Sequence, residues 1–483
     1  LYYWMNGTGL VFASEIKAII QHPEYKIELE RNALNEYFTF QNVFAYHTLF
    51  KGVFMLPPAN TVFLNRQNPI LKHSSWWDYD FSAPSENMDM NEAVLETERL
   101  FKQAVTRQMI SDVPVGTYLS GGMDSGSIAA IASQKVNRLA SFTCGFDMSH
   151  VTGVESNYDE RRDAESIASF LGTEHYEQVI HSGDIRWSLP RVVNHLEDLR
   201  VGMSYPNYYI SRLASKFVKV CLQGTGGDEL FGGYPWRYYR VFQSLDARTF
   251  YDNYYEFWQR LVKENDKVKL FQPNVYSNIE IDAPRALFER VFTFNKKLKY
   301  NTPEDHISNS LYFEIKTFLA ALLIVGDKLA MANGLEERFP FLDNDLVNFA
   351  QKIPVKHKLG NLELMKKIDE NIQGNKRNLY KQYDDGKNVL RKAMADILPE
   401  QVIQRKKQGF SAPDESWYRG ANAEYVKELL LNKKTLMSEF INPEYVKTII
   451  DEHINHKINH RLLIWSFLNF EWWCKIFLNG EKV

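Results

Sequence analysis

The sequence predicts an α/β fold: a doubly wound, mostly parallel sheet followed by a helical C-terminal part. Three observations carry this reading. Between residues 113 and 222, short apolar runs alternate with helical patterns, as strands joined by crossover helices do. Two glycine-rich turns, Ser120–Ser125 and Gln223–Tyr234, each follow such a run, and ligands in open parallel sheets bind beyond strand C-termini. Past residue 235 the periodicity is nearly all helical.

The elements follow in chain order. Tyr2–Trp4 and Leu10–Ala13 read as strands joined at Asn6-Gly7, a good hairpin turn. Helices are expected near 14–20 and 30–38, a strand within Lys51–Asn60 ending at Pro57-Pro58, and another over Thr61–Leu64. A sheet beginning at residue 1 reads as the tail of a larger domain. Asp78–Asp89 is polar and reads as a linker, which divides the chain into 1–80, a linker at 81–90, and 91–483. An amphipathic helix over 91–109 precedes strands at 113–119, 139–144, 174–179 and 217–222. Between them lie helices at 124–135, 159–171 (with Gly172 as C-cap signal), 184–196 and 208–216. Further helices are expected at 236–264, 284–294, 311–330, 343–352, 361–370, 387–396, 421–431, 443–451 and 456–476. Trp465, Phe467, Phe470, Trp472 and Trp473 mark the last as a packed helix.

Composition narrows the function classes. With 45% apolar and 24% charged residues, the chain has material for a sizeable core. A net charge of -3 provides no global field for nucleic acid or membrane. No run of about 18 apolar residues predicts a transmembrane span, and the start lacks a basic segment and signal-peptide core. Cys144, Cys221 and Cys474 are widely spaced and form neither a disulfide framework nor a zinc motif. They read as buried thiols of a cytoplasmic protein.

Ser120-Gly121-Gly122-Met123-Asp124-Ser125 sits between an apolar strand and a helix. Adjacent glycines allow close backbone approach to phosphate, and free amides at the helix start face the anion. Ser120 and Ser125 can donate further bonds. Asp124 suits a magnesium ion held between phosphate oxygens. The Gly-Lys-Ser/Thr ending of a Walker A loop is absent, so the turn is expected to cradle a pyrophosphate leaving group. In the second turn, Asp228 is the natural second carboxylate for magnesium. A basic run, Arg405-Lys406-Lys407, could place a cation on a transferred phosphoryl group.

These features resemble the asparagine synthetase family, nearly end to end. Phe12–Ala18 and Leu56-Pro57-Pro58 look like the last part of its glutaminase domain, an N-terminal-nucleophile fold. Tyr118–Ser125, Gly224–Tyr234, Asp327-Lys328 with Met331-Ala332, Glu336–Asp343 and Arg405–Phe410 resemble successive family blocks of its synthetase domain, an adenine nucleotide alpha hydrolase-like sheet. The resemblance implies ATP and Mg2+ as cofactors. Ser120, Gly121, Gly122, Asp124 and Ser125 would hold pyrophosphate and metal, with Asp228 as the other metal ligand. Leu119, Phe142 to Gly145 and Gly224 would line adenine and ribose. Lys407 would stabilise the adenylation transition state, and Glu336 would support the site or form a salt bridge to Arg338.

The reaction implied is ATP-dependent amidation of a carboxylate through an acyl-adenylate, aspartate by default, with glutamine or ammonia as nitrogen source. Neither nucleic acid nor membrane is an expected partner; a homodimer is compatible. Two departures stand out. The family's glutaminase domain begins with a catalytic cysteine, and Leu1 starts downstream of its position, so the chain as given is expected to be N-terminally incomplete. Family members also usually carry Glu or Asp at the position of Thr225, a residue that cannot act as a comparable base. Thr225 could still act in catalysis by orienting an amine through a hydrogen bond; either the base has moved, with Glu229 and Glu336 as candidates, or the attacking amine is different. Arg200, within Glu197–Pro206, could pair with a substrate carboxylate or form a structural salt bridge. Alternative readings are the same activation applied to a larger metabolite or a ring closure, and a non-catalytic homologue.

Overall fold

The structure is a computed structural model that describes residues 1–7, 9–44, 46–65, 68–82, 84–85, 87–202, 204–365, 385–405 and 411–483. Its centre is a five-stranded, all-parallel sheet built from β6 (Val115–Tyr118), β7 (Ala140–Phe146), β8 (Glu174–Ile180), β9 (Val220–Leu222) and β10 (Glu336–Arg338). The spatial order is β10-β9-β6-β7-β8. The chain leaves β6 toward β7 and β8, then returns to the other side of β6 with β9. That reversal makes the gap between β6 and β9 the topological switch point, where open α/β sheets bind ligands. Apolar helices cover the sheet. Met123–Ser133 is buried along most of its length, and Arg161–Leu171 ends at left-handed Gly172, as its sequence predicts.

The first strands form a separate antiparallel sheet, β2 (Leu10–Ala13), β1 (Tyr2–Met5), β3 (Val53–Met55), beside a β4 (Asn60–Asn65) and β5 (Asn68–Ser75) pair. The sequence reading missed β5, because Pro69 and the polar Lys72-His73-Ser74 obscure the strand pattern. It also missed β10, a three-residue edge strand of charged residues. The long helix expected over 236–264 is broken. Asp246 and Thr249 form a capping box that starts a new helix at Ala247. Of the helix expected at 361–370, Leu362–Met365 lies within the described residues.

Pro303–Met331 is continuous over 29 residues, and among the described residues it is the one helix long and apolar enough to cross a membrane. Its most apolar window is 67% buried inside the fold, which makes it a core helix. Asp78–Asp89, read as a linker, is fastened to neighbouring helices. Asp78 accepts from Tyr312 and Lys316 at 2.7 and 2.8 Å, Asp80 pairs with Lys297 at 2.7 Å, and Phe81 is buried.

The N-terminal segment shares one apolar core with the C-terminal helices. Phe38 packs on Phe271, Phe467 and Phe470, and Phe50 packs on Trp473 and Phe477. Four consecutive residues after the Asp184–Leu196 helix add a polar clasp. Buried Glu197, in left-handed backbone at φ 65°, accepts from the amides of Ile16 and Lys17 at 3.0 and 2.6 Å and from the Lys328 ammonium. Its carbonyl takes the Trp473 indole N–H at 3.0 Å. Asp198 accepts the Leu49 amide at 3.2 Å and pairs with Arg200 at 3.0 Å, and Arg200 donates to the Val43 carbonyl at 3.1 Å. Of the two roles open to Arg200, the structure therefore shows the salt bridge: its guanidinium is inside the clasp. Burial raises the Asp198 pKa, against the opposing pull of Arg200.

Removing one member of a buried charged network leaves its partners unpaired at a cost of several kcal/mol. Glu197→Ala is expected to lose about 3–5 kcal/mol of stability, read as a lower urea midpoint. An unchanged midpoint would show that the clasp contributes little.

Candidate functional site

The switch point opens into a cavity of about 640 Å³. The turn after β6 and the turn after β9 form facing walls. A Cβ on Gly224 would lie 3.1 Å from the Ser125 amide nitrogen, and one on Gly227 would lie 3.1 Å from Asp124 Cγ. The two turns can therefore approach this closely because both positions are glycine. Gly122 caps the Met123–Ser133 helix in extended backbone and, lacking a side chain, leaves the first helical amides without a capping acceptor from its own position. Ser120 and Ser125 share a hydroxyl–hydroxyl bond of 2.9 Å, and the Ser125 hydroxyl accepts the Ser120 amide at 3.0 Å. This network holds the turn in shape, with the helix start facing the cavity. Helix starts with free amides favour anions.

Leu119, Ser120, Gly122, Asp124, Ser125, Phe142, Gly224, Thr225 and Asp228 all line the cavity. The Phe142 ring also stacks on Tyr176 and packs on Phe217. Two expected residues lie behind the wall. Gly121 passes beneath the Arg405 guanidinium, where a Cβ would come within 1.7 Å, and Gly145 is covered by Arg161. Arg405 itself lines the cavity and pairs with Asp163 at 2.8 Å. Lys407 lies outside the described residues.

Glu336 requires a correction. Its carboxylate is 58% exposed, bonded to Arg338 at 2.6 Å, and does not line the cavity. Strand alternation in β10 sends the next side chain inward instead. Glu337 lines the cavity, and its Oε2 is buried without a hydrogen-bond partner among the described residues. Burial, aided by Asp327 and opposed by Tyr118, pushes its carboxyl up to about 7. Gly326 of the long core helix makes room for it; a Cβ there would meet Glu337 Oε2 at 2.5 Å and Gln223 Oε1 at 3.6 Å. Thr225 donates to that same Gln223 oxygen at 3.1 Å. Glu229 also lines the cavity, accepting from Tyr234 at 3.1 Å.

Sequence reasoning also missed Lys387. It was read as the first residue of an ordinary helix, although the Gly386-Lys387 pair with Arg391 one turn later was visible. Its ammonium lies 2.5 Å from Asp124 Oδ2 and 2.6 Å from Asp228 Oδ1. The two carboxylates thus converge on one cationic point, and Asp124 Oδ1 is buried without a hydrogen-bond partner among the described residues. Two hard oxygen donors with spare lone pairs fit Mg2+, which takes one or two carboxylates and completes its shell with phosphate and water. Among the described residues, no group of three or more metal-ligating side chains forms elsewhere.

A parallel sheet with two glycine-rich turns meeting at its switch point, over paired carboxylates, defines an α/β protein with an anion-binding site of the kind that takes nucleotide phosphates. Comparison with known proteins gives the family. Residues 96–475 match the asparagine synthase family, and residues 1–77 match the glutamine amidotransferase domain. The chain is 28% identical over 516 aligned residues to asparagine synthetase (glutamine-hydrolyzing) 1 of Bacillus subtilis (strain 168), covering 100% of this chain and 74% of that protein. It is 26% identical over 470 residues to asparagine synthetase (glutamine-hydrolyzing) 3 of the same organism, covering 93% and 69%. A probable asparagine synthetase (glutamine-hydrolyzing) of Dictyostelium discoideum is 34% identical over 171 residues, covering 32% and 29%. The chain belongs to the asparagine synthase family and is an ATP-dependent ligase.

Gly224→Val should weaken ATP binding about tenfold or more, equivalent to ~1.4 kcal/mol, in calorimetric titration. Gly7→Ala, where the added carbon meets nothing within 4 Å, should bind ATP normally.

Proposed function

We propose that the protein converts aspartate, ATP and an amino nitrogen to asparagine, AMP and pyrophosphate through an aspartyl-adenylate. The observation that carries the reading is the meeting of Ser120–Ser125 with Gly224–Asp228 over one carboxylate pair. The proposed nitrogen source is ammonia, drawn from glutamine by the domain to which residues 1–77 belong. The division at 81–90 and a reducing cytoplasmic setting belong to the same proposal; the three described cysteines are free and buried.

In the first step a substrate carboxylate oxygen attacks the ATP α-phosphorus and pyrophosphate leaves. The Ser120–Ser125 turn holds the leaving group through amides and hydroxyls. Asp124 and Asp228 would hold Mg2+, which would supply neutralisation of phosphate charge. Leu119 and Gly224 flank the nucleoside, and Lys407 places a positive charge on the α-phosphoryl oxygens. In the second step the nitrogen attacks the acyl carbon, AMP leaves with the bonding pair, and the new amide nitrogen loses a proton. Thr225 cannot take that proton. Glu337 can: it faces the cavity beside Gln223 and Thr225, and a base with a pKa about 7 is matched to neutral pH.

Asp124→Asn should reduce aspartate-dependent pyrophosphate release at least about a hundredfold, with the circular dichroism of the wild type. Retained release would refute the metal role. Activation of another acid, without stimulation by aspartate, would move the reaction to a different acceptor. Glu337 must be ionised to act, so the ammonia-dependent rate at constant free ammonia should rise with pH through about 7. Glu337→Gln should remove that rise. The same raised pKa destabilises the fold as pH climbs from the ordinary carboxylate range through about 7, because the unfolded chain gives up the proton more readily. Glu337→Gln should therefore melt higher than wild type above that pH, even while it turns over more slowly.

A further inference from the structure

We propose that Lys387 is a resident counter-cation for the Asp124–Asp228 pair, occupying the point where the divalent ion binds, so that metal loading must displace it and becomes dependent on nucleotide. The inference rests on the magnesium reading above and adds a gate to it.

The lysine is built into its position. Its backbone amide donates to the Phe231 carbonyl at 3.1 Å, and its own φ is 60°, a left-handed conformation that costs a side-chain-bearing residue energy. Next to it, a Cβ on Gly386 would fall 2.2 Å from the Gly232 carbonyl oxygen. A Cβ on Gly233 would fall 1.9 Å from Asp228 Oδ1 and 2.6 Å from Lys387 Cε. Bare backbone on both sides thus forms the slot through which the stem passes. Arg391 fixes the turn from behind, donating to the Gly386 carbonyl at 2.9 Å. The slot fixes the backbone, while the four-carbon stem leaves the ammonium free to pivot within the cavity it lines.

Charge makes the arrangement a gate. One ammonium between two carboxylates leaves a net charge of minus one, and the three side chains are only 6%, 14% and 10% exposed. A divalent ion at that point neutralises both carboxylates. Lysine and the ion together would place three positive charges within contact distance of one another, a strong repulsion where water screening is weak. The two cations therefore exclude each other. A bare divalent ion must displace a well-placed ammonium with no new anion to receive it. An ion arriving with a polyphosphate brings oxygen ligands and negative charge for the expelled ammonium. The protein then takes up the metal with nucleotide and resists idle metal binding.

The test is Mn2+ titration of the full chain without nucleotide, followed by the paramagnetic signal of the free ion. Lys387→Met should bind Mn2+ at least about tenfold more tightly than wild type, and Lys387→Arg, which keeps the cation, should stay weak. Adding Asp124→Asn to Lys387→Met should abolish the gain. Lys387→Gln, a neutral side chain that still donates to the carboxylates, should also gain affinity and covers the case in which the methionine variant does not fold. In melting experiments Lys387→Met should be less stable than wild type and be restored by Mn2+ alone, a recovery that a purely structural lysine would not give. Unchanged Mn2+ affinity in both neutral variants, with Mn2+-ATP binding in wild type still sensitive to Asp124→Asn, would overturn the gate and leave the metal site standing. Mn2+-ATP binding insensitive to Asp124→Asn would overturn both.

Discussion

The whole arrangement depends on one steric constraint, the distance at which two backbone turns can pass each other at the switch point between β6 and β9. A parallel sheet delivers both turns to the same edge, but side chains would keep them apart. Glycine at 224 and 227 lets the second turn come to within van der Waals contact of Ser125 and Asp124. Given that contact, the other features follow. The carboxylates on the two turns converge, a cation must sit between them, and the start of the Met123–Ser133 helix is left facing the space they enclose. The hydroxyl bond between Ser120 and Ser125 keeps the first turn from relaxing into the gap.

Much of this was legible in the sequence, for identifiable reasons. Strand-turn-helix units with glycine at the turn are local patterns, so the two turns meet at the cavity and nine of the residues expected at the nucleotide line it: Leu119, Ser120, Gly122, Asp124, Ser125, Phe142, Thr143, Cys144 and Gly224. What failed was nonlocal. Glu336 and Glu337 are adjacent carboxylates, and only the pairing of β10 with β9 decides which one points inward. Lys387 reaches Asp124 from 263 residues away along the chain, and nothing in its neighbours' periodicity distinguishes it from a helix-starting lysine on the surface. Arg200 reads as open to a ligand in the sequence because its second partner, the Val43 carbonyl, is reached only once the N-terminal segment is docked. The aromatic C-terminal helix was easier: its apolar residues could only be buried, and Trp465, Phe467, Phe470 and Trp473 are.

The cavity carries charge in an uneven way. Its metal end pairs two carboxylates with one lysine. At another part of its lining, Arg237 rests on Glu314 at 3.1 Å and over the Tyr234 ring, while Arg260 is held near it with its pKa lowered to about 10, first by burial and then by Arg237. Glu314 is itself buried and bonded by Tyr254 at 2.9 Å. Positive charge in excess of its carboxylate partners is costly to bury, and it gives this wall of the cavity a preference for anions.

The clasp at Glu197–Arg200 has a consequence for how the protein can change over evolutionary time. Its anchors in the N-terminal segment are the backbone amides of Ile16, Lys17 and Leu49 and the carbonyl of Val43. Val201 and Gly202, the next residues along, line the cavity. The N-terminal module is therefore not a detachable cartridge. Because the clasp reads main chain, an unrelated module, however active, would have to present three amides and one carbonyl at the same places or leave a wall of the neighbouring site unsupported.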